Sequence, residues 1–323
     1  MSFIEQLQQQ IIQGKQITKE QAIQLIDQPL EELCTTADQI RRHFCQDNFD
    51  ICTIINAKSG RCSEDCKYCA QSSYYQTAIE EYPLLDAKEI VEQAIYNDDR
   101  GVLRYSLVTS GRVLADKEVD AVCTSIREIR QKTNIKVCVS LGLLEQEQFA
   151  KLRQAGACRV HNNLESSRDN FPNICTTHTY DDKIQSIKAA QAAGLNVCSG
   201  GIMGLGESML DRINMVFDIR ELGIRSIPVN MLNPIPGTPY AHLPKLTVED
   251  MRRIVAIFRF IIPSAYIRLA GGRGMLADKG RSCFRSGANA CISGDMLTTA
   301  GISIELDMKM LQELGYKAVL CDE

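Results

Sequence analysis

An α/β fold, a (β/α)8 barrel of the TIM type behind an N-terminal helical extension, is what the 323-residue sequence predicts. Three observations carry it. Short β-rich runs alternate with amphipathic helical runs from Phe49 to the end. Glycines punctuate the element ends at Gly142, Gly156, Gly194, Gly223 and Gly315. Along several strands one parity is polar or sulfur-bearing, as in a barrel that encloses a site instead of a dry core.

Residues 1–48 read as helical and form the extension; residues 49–323 form the barrel. Thr18 and Gln21 make a capping box before Ile23, Leu25 and Ile26. Pro29 ends that helix, and a new one runs from Leu30 to Phe44. Strands are expected at 49–56, 102–109, 135–141, 158–165, 195–202, 226–232, 265–270 and 288–293. Helices are expected near 86–98, 116–132, 145–155, 180–193, 208–222, 247–262, 276–286 and 303–314. No Pro/Ser-rich linker divides the chain. A doubly wound open sheet is the rival architecture.

Parity assigns the barrel interior. The third strand sets Lys136, Cys138 and Ser140 against Val137, Val139 and Leu141. The fourth sets Arg159, His161, Asn163 and Glu165 against Val160 and Leu164. The fifth gives Asn196, Cys198 and Gly200, the seventh Tyr266 and Arg268, and the eighth Asn289 and Cys291. The apolar face must meet the helices, so each polar set is expected to face inward.

Composition limits the function. Net charge is −4, so no basic field points to nucleic acid. No apolar run reaches membrane-spanning length; Ile254 to Ile262 is short and contains Arg259. The first residues lack the basic start and apolar core of a secretion signal. Fourteen cysteines in such a chain read as reduced thiols, some of them ligands, in a cytoplasmic protein.

The densest chemistry lies in Lys58–Tyr75, where Cys62, Cys66 and Cys69 form a Cys-x3-Cys-x2-Cys run. Three thiolates on one loop hold three corners of a cubane 4Fe–4S cluster and leave one iron open. A structural zinc site is the competing reading, but zinc takes four ligands and no histidine lies in the loop. Gly200-Gly201-Ile202-Met203-Gly204-Leu205-Gly206 follows the fifth strand, without the lysine of a phosphate-binding loop.

The cysteine run resembles the signature of radical S-adenosylmethionine enzymes. That resemblance implies an open iron chelating S-adenosylmethionine, reductive cleavage to a 5′-deoxyadenosyl radical, and Tyr68 beside the adenine. Gly200, Gly201 and Ile202 then let the adenine approach the backbone. Further segments narrow the likeness: Cys66–Ser73, Asn162–Ser167, Val197–Ile202, Val229–Leu232 with Gly237-Thr238-Pro239, and Ile267–Leu269 resemble the biotin synthase family. The likeness runs from about residue 50 to the end.

That family implies dethiobiotin as substrate, flavodoxin or ferredoxin as electron donor, a homodimer, and an auxiliary cluster that donates sulfur. Its auxiliary ligands correspond to Cys138, Cys198 and Arg268 around a 2Fe–2S rhomb. The fourth position falls on Ser106, a poor iron ligand. Cys291, inward by parity, is expected to replace it, with Cys283 the weaker candidate. Three thiolates so arranged lead to the expectation of a four-iron cluster with an extra sulfide. Asn163 and Asn230 correspond to residues that hydrogen-bond the ureido ring, and Glu165 to an acid on the cosubstrate ribose. Pro234, Pro236 and Pro239 stiffen a loop expected to cover the substrate. Cys34, Cys45, Cys52, Cys123, Cys158, Cys175 and Cys321 read as buried or incidental, Cys175 as a surface thiol. Two alternatives stand beside this reading: another radical enzyme, of hydrogenase-maturation or methylornithine-forming type, and a non-catalytic iron–sulfur carrier.

Overall fold

The structure, a computed structural model, describes residues 1–320. Cys321 lies outside the described residues.

The chain begins with three helices, α1 (Phe3–Ile12), α2 (Lys19–Gln24) and α3 (Leu30–Cys45). Thr18 caps α2: its hydroxyl accepts from the Gln21 N–H, and the Gln21 side chain accepts from the Thr18 N–H. The apolar stripe Ile4, Leu7 and Ile11 of α1 is buried in the main core.

The barrel follows. Its strands are β1 (Asn48–Lys58), β2 (Arg104–Thr109), β3 (Lys136–Ser140), β4 (Arg159–His161), β5 (Asn196–Cys198), β6 (Gly201–Met203), β7 (Ser226–Met231), β8 (Tyr266–Leu269) and β9 (Ala290–Ser293). They pair in parallel in chain order, except that β5 and β6 both pair with β7, and β9 returns to β1 to close the barrel. A short β10 (Lys317–Ala318) adds to the start of β1. The predicted barrel is therefore present.

The expected fifth strand is interrupted and supplies both β5 and β6. At the break, a Cβ on Gly200 would stand 1.9 Å from the Pro228 carbonyl oxygen, and one on Gly201 would stand 2.4 Å from that of Glu165. Only glycine lets the backbone pass so close.

The outer layer comprises α4 (Ala87–Asp98), α5 (Asp116–Lys132), α6 (Gln146–Ala155), a short α7 (Phe171–Ile174), α8 (Tyr180–Ala192), α9 (Met209–Glu221), α10 (Val248–Ile261), a short α11 (Arg281–Phe284) and α12 (Ile304–Leu314). Ile254, Ile257, Phe258 and Ile261 of α10 are fully buried, each worth about 1.5–3 kcal/mol relative to exposure. The helix expected at 276–286 shrinks to α11, because Lys279 and Gly280 both take positive φ just before it.

Strand register settles which parity faces inward. Cys52, Ile54, Ser106, Val108, Cys138, Ser140, Arg159, His161, Cys198, Pro228, Asn230, Arg268 and Ile292 all line one central cavity. The expected interior of the third, fourth, fifth and seventh strands agrees with this. The eighth does not. Cys291 pairs in register with Ile51 of the core, whereas Ile292 pairs with Cys52 and faces the cavity. Asn289 also points outward. Its Oδ1 accepts from the buried Arg259 guanidinium and from the Ile267 N–H. Arg259 comes from α10 and needs such an acceptor in the layer between barrel and helices.

Candidate active site and its two groups of cysteines

The cavity inside the barrel has a volume of about 390 Å³. Cys62 and Cys69 line it from one loop, and Cys52, Cys138 and Cys198 line it from three strands.

The outer group sits on a loop folded by its own backbone. The Cys62 N–H donates to the Gln71 carbonyl (2.9 Å), Ser73 N–H to the Cys62 carbonyl (2.8 Å), and Cys69 N–H to the Cys66 carbonyl (2.9 Å). A second segment clamps the loop from outside. Asp65 accepts from the Thr176 N–H (2.8 Å), the Thr176 hydroxyl (2.5 Å) and the Thr177 N–H (3.2 Å). Burial opposes ionisation of Asp65, but these hydrogen bonds outweigh it and hold the carboxyl below the usual range. Lys67 is tied on both sides: its N–H donates to Ile174 and its carbonyl accepts from Tyr240. The proline loop rests here too, where a Cβ on Gly237 would stand 2.0 Å from the Gln76 carbonyl oxygen.

Tyr68 lines the cavity and shares a hydrogen bond with Glu165. Burial pushes the Tyr68 phenol well above its usual range, and burial also raises Glu165. Glu165 adopts φ 69°, a left-handed conformation rare for a non-glycine residue. It is held there by its N–H donating to Gly200 (3.1 Å) and its carbonyl accepting from Ile202 (3.0 Å). The predicted glycine segment and acid thus form one backbone unit.

Asn163 and Asn230 reach the same cavity, and both are braced by backbone. Asn163 Oδ1 accepts from the Gly200 N–H (3.1 Å) and its Nδ2 donates to Glu165 (3.3 Å). Asn230 Nδ2 donates to the Gly201 carbonyl (3.1 Å) and its Oδ1 accepts from the Gly271 N–H (2.9 Å). An amide has two hydrogens, so one donation does not exhaust it.

The inner group differs from expectation in one member. Cys138 and Cys198 line the cavity with Arg268. Cys291 does not join them; its Sγ points toward Asp307 of α12 at 3.9 Å. Cys283 is buried in the core outside the cavity. The third inward thiol is Cys52, which the sequence reading set aside. Burial drives its thiol well above the usual range, with Arg268, Cys138 and Cys198 among the groups that act on it. Its parity was the available signal: it shares a strand face with Asp50 and Ile54. Ser106 does face the cavity, and its buried Oγ lacks a hydrogen-bond partner.

Arg268, in the cavity lining, is held by hydrogen bonds. Its Nη2 donates to Asp50 Oδ1 (3.0 Å), and its Nη1 donates to the carbonyls of Asp50 (3.0 Å) and Cys291 (3.1 Å). Asp50, fully buried, also accepts from Arg104 Nε (2.9 Å). Asp50 thus ties the guanidinium groups of Arg104 and Arg268 together at the base of the cavity.

Two other findings revise the thiol inventory. Cys175 is 2% exposed and is not a surface thiol. Cys158 shares a hydrogen bond with Cys138, which, with the Arg104 and Arg159 cations, lowers the Cys158 thiol below its usual range. A cavity-covering segment was also missed: Met296, Leu297, Thr298 and Thr299 line the cavity, and Asn56 Nδ2 donates to the Leu297 carbonyl (3.0 Å).

Soft thiol donors in two groups around one cavity, with an unpartnered Ser106 between strands that carry them, suit iron–sulfur chemistry. No helix among the described residues is long and apolar enough to cross a membrane.

Comparison with known proteins identifies the family. The Radical SAM superfamily profile matches residues 57–219, and that of the Biotin and Thiamin Synthesis associated domain matches residues 228–317. The chain is 60% identical to a biotin synthase of Brachyspira hyodysenteriae, covering 99% of this chain and 96% of that one. It is 57% identical to a biotin synthase of Akkermansia muciniphila, covering 98% and 99%. Among solved structures, methylornithine synthase superposes with a TM-score of 0.85 at 18% identity, covering 97% of each chain. The hydrogenase maturase HydG of Carboxydothermus hydrogenoformans superposes at 0.83 and 16%, covering 99% of this chain and 80% of that one. These structural likenesses establish the shared fold. The chain belongs to the biotin synthase family of radical S-adenosylmethionine enzymes, and membership implies a 4Fe–4S cluster and S-adenosylmethionine.

Proposed function

We propose that this enzyme inserts sulfur into dethiobiotin to form biotin, with two iron–sulfur clusters facing each other across the barrel cavity. The observation that carries the reading is one cavity lined from its loop by Cys62 and Cys69 and from its strands by Cys52, Cys138 and Cys198. When bound, the loop cluster with S-adenosylmethionine supplies a hydrogen-abstracting radical, and the inner cluster supplies sulfide.

The residues divide the remaining work. Cys62, Cys66 and Cys69 hold the 4Fe–4S cluster. Tyr68, Glu165, Gly200, Gly201 and Ile202 seat S-adenosylmethionine. Asn163 and Asn230 orient the ureido ring of dethiobiotin, their amides pre-set by the backbone bonds described above. The loop around Met296–Thr299 and the proline loop exclude water from the reacting carbons. A reduced flavodoxin or ferredoxin delivers electrons, and the working unit is a homodimer.

For the inner cluster we infer the ligand set Cys52, Cys138 and Cys198. Arg268 braces Asp50 instead of binding iron, and Ser106 stays protonated. Three thiolates without a guanidine ligand suit a four-iron cluster with an open iron carrying sulfide better than a 2Fe–2S rhomb. An anaerobic assay with dethiobiotin, S-adenosylmethionine and reductant is expected to yield biotin and 5′-deoxyadenosine. 5′-Deoxyadenosine without biotin would assign the radical to another substrate.

A further inference from the structure

At the cysteine loop lies a cluster of which the radical chemistry uses only Cys66. Cys66 Sγ, Cys175 Sγ and a His178 ring nitrogen all lie within 4.8 Å of one another. Cys175 Sγ is 3.2 Å from His178 Nδ1, and Glu64 Oε2 is 2.5 Å from the same nitrogen. His178 is 7% exposed and Glu64 is 6% exposed, so the group is shielded from bulk water. Two segments distant in sequence meet there: the cysteine loop and the connection between α7 and α8.

Two sulfurs and an imidazole form three donors of a tetrahedral site for a thiophilic divalent cation, and the Glu64 carboxylate beside the imidazole can swing in as the fourth. Such a site places its donor atoms about 3.5–3.8 Å apart, so the three donors Cys66, Cys175 and His178, all within 4.8 Å of one another, need shifts of roughly 1 Å, while the short Glu64–His178 and Cys175–His178 contacts must open as the ion enters. Local rotamer adjustment suffices for that. Phe171 packs edge-on against His178 at 5.5 Å and fixes the ring plane. The hydroxyl of Thr177 donates to Glu64 Oε2 (2.9 Å), which holds the carboxylate in place.

We propose that the protein lacking its loop cluster binds one divalent cation of the zinc or ferrous class at Cys66, Cys175 and His178, with Glu64 as the fourth donor. Two thiols lose their protons to solvent on binding, and no electron is transferred. Because Cys66 is shared, this ion and the 4Fe–4S cluster exclude each other. The single ion therefore competes with cluster assembly, and its release is a step in maturation.

The two overlapping ligand sets make the idea testable. The full-length chain, stripped of clusters and handled anaerobically, is titrated with Co2+. One ion per chain is expected, with thiolate-to-cobalt charge-transfer absorption and the visible bands of tetrahedral cobalt. Cys175→Ser and His178→Gln are each expected to weaken binding at least about tenfold. Cys62→Ser and Cys69→Ser are expected to leave the spectrum and affinity unchanged. A cobalt spectrum that survives Cys175→Ser but is lost in Cys62→Ser would place the ion on the radical-cluster cysteines and overturn the proposal. Far-ultraviolet circular dichroism of each stripped variant checks the fold. If Cys175→Ser misfolds, Cys175→Ala and His178→Gln carry the same test. A second readout uses cluster assembly itself: pre-loading with Zn2+ is expected to slow iron uptake in the parent chain and not in Cys175→Ser. Equal slowing in both would also refute it.

Discussion

The two groups of cysteines around the cavity teach different things about reading a sequence. Cys62, Cys66 and Cys69 lie within one loop that local backbone hydrogen bonds shape. Cys52, Cys138 and Cys198 come from β1, β3 and β5, and they meet only because the strands close with a particular register. A local constellation is carried by spacing alone. A distributed one depends on which face every strand turns inward, so a single misjudged parity exchanges one ligand for another.

The sharpest way to separate the groups is to disable each in turn. Cys66→Ala is expected to abolish both 5′-deoxyadenosine and biotin. Cys138→Ala is expected to abolish biotin while 5′-deoxyadenosine still forms. Product analysis by chromatography of both variants under reductant reads the difference. Loss of 5′-deoxyadenosine in Cys138→Ala would merge the groups into one functional unit.

Next in size is the polar floor beneath the inner group. Asp50 is buried between Arg104 and Arg268. Removing one partner of such a network leaves a buried charge uncompensated, so Asp50→Asn is expected to cost about 3–5 kcal/mol in denaturant unfolding. A loss of iron from the inner cluster without a loss of stability would instead make Asp50 part of the cluster's surroundings and not of the fold.

These contrasts also explain how much was legible beforehand. The alternation of elements, the glycine ends and the capping box at Thr18 are local signals, and the structure follows them. The inward sets on the third, fourth, fifth and seventh strands were legible because apolar and polar residues alternate cleanly there. The eighth strand misled. Ala288, Asn289, Ala290 and Cys291 are all fully buried, so burial gives no contrast between its two faces. Its most polar residue, Asn289, faces outward to satisfy Arg259, a partner 30 residues away that spacing cannot announce. The first strand hid Cys52 for the opposite reason. Its inward face mixes Asp50, Cys52 and Ile54, with no polar rhythm to mark it. Cys175 looked exposed because its neighbours are polar; those polar groups turn inward onto Asp65 and Glu64.

Two smaller effects sharpen the picture of the cavity wall. Burial holds His161 at about 4, below its usual 6.5. The unfolded chain therefore takes up the proton first. Stability from the neutral ring is complete above pH 6.5 and declines as pH falls toward 4. The cluster-free chain is expected to lose about 1–2 kcal/mol between pH 7 and 5 through this group, a loss that His161→Gln removes. Urea titrations at the two pH values compare the slopes, and an unchanged pH dependence in His161→Gln would reassign it. On the substrate side, Asn230→Ala removes about 1 kcal/mol of hydrogen bonding to a neutral ligand, so a several-fold rise in the KM for dethiobiotin is expected. An unchanged KM would confine Asn230 to bracing Gly201 and Gly271.

The central claim is that Cys52, and neither Ser106 nor Cys291, completes the inner site. It is tested most directly by iron and sulfide analysis with Mössbauer spectroscopy in a chain whose Cys62, Cys66 and Cys69 are all alanine. Only the inner cluster then remains. A four-iron signal is expected to survive Cys291→Ser and Ser106→Ala and to disappear in Cys52→Ser. A two-iron signal indifferent to Cys52→Ser, or one lost in Ser106→Ala, would contradict it.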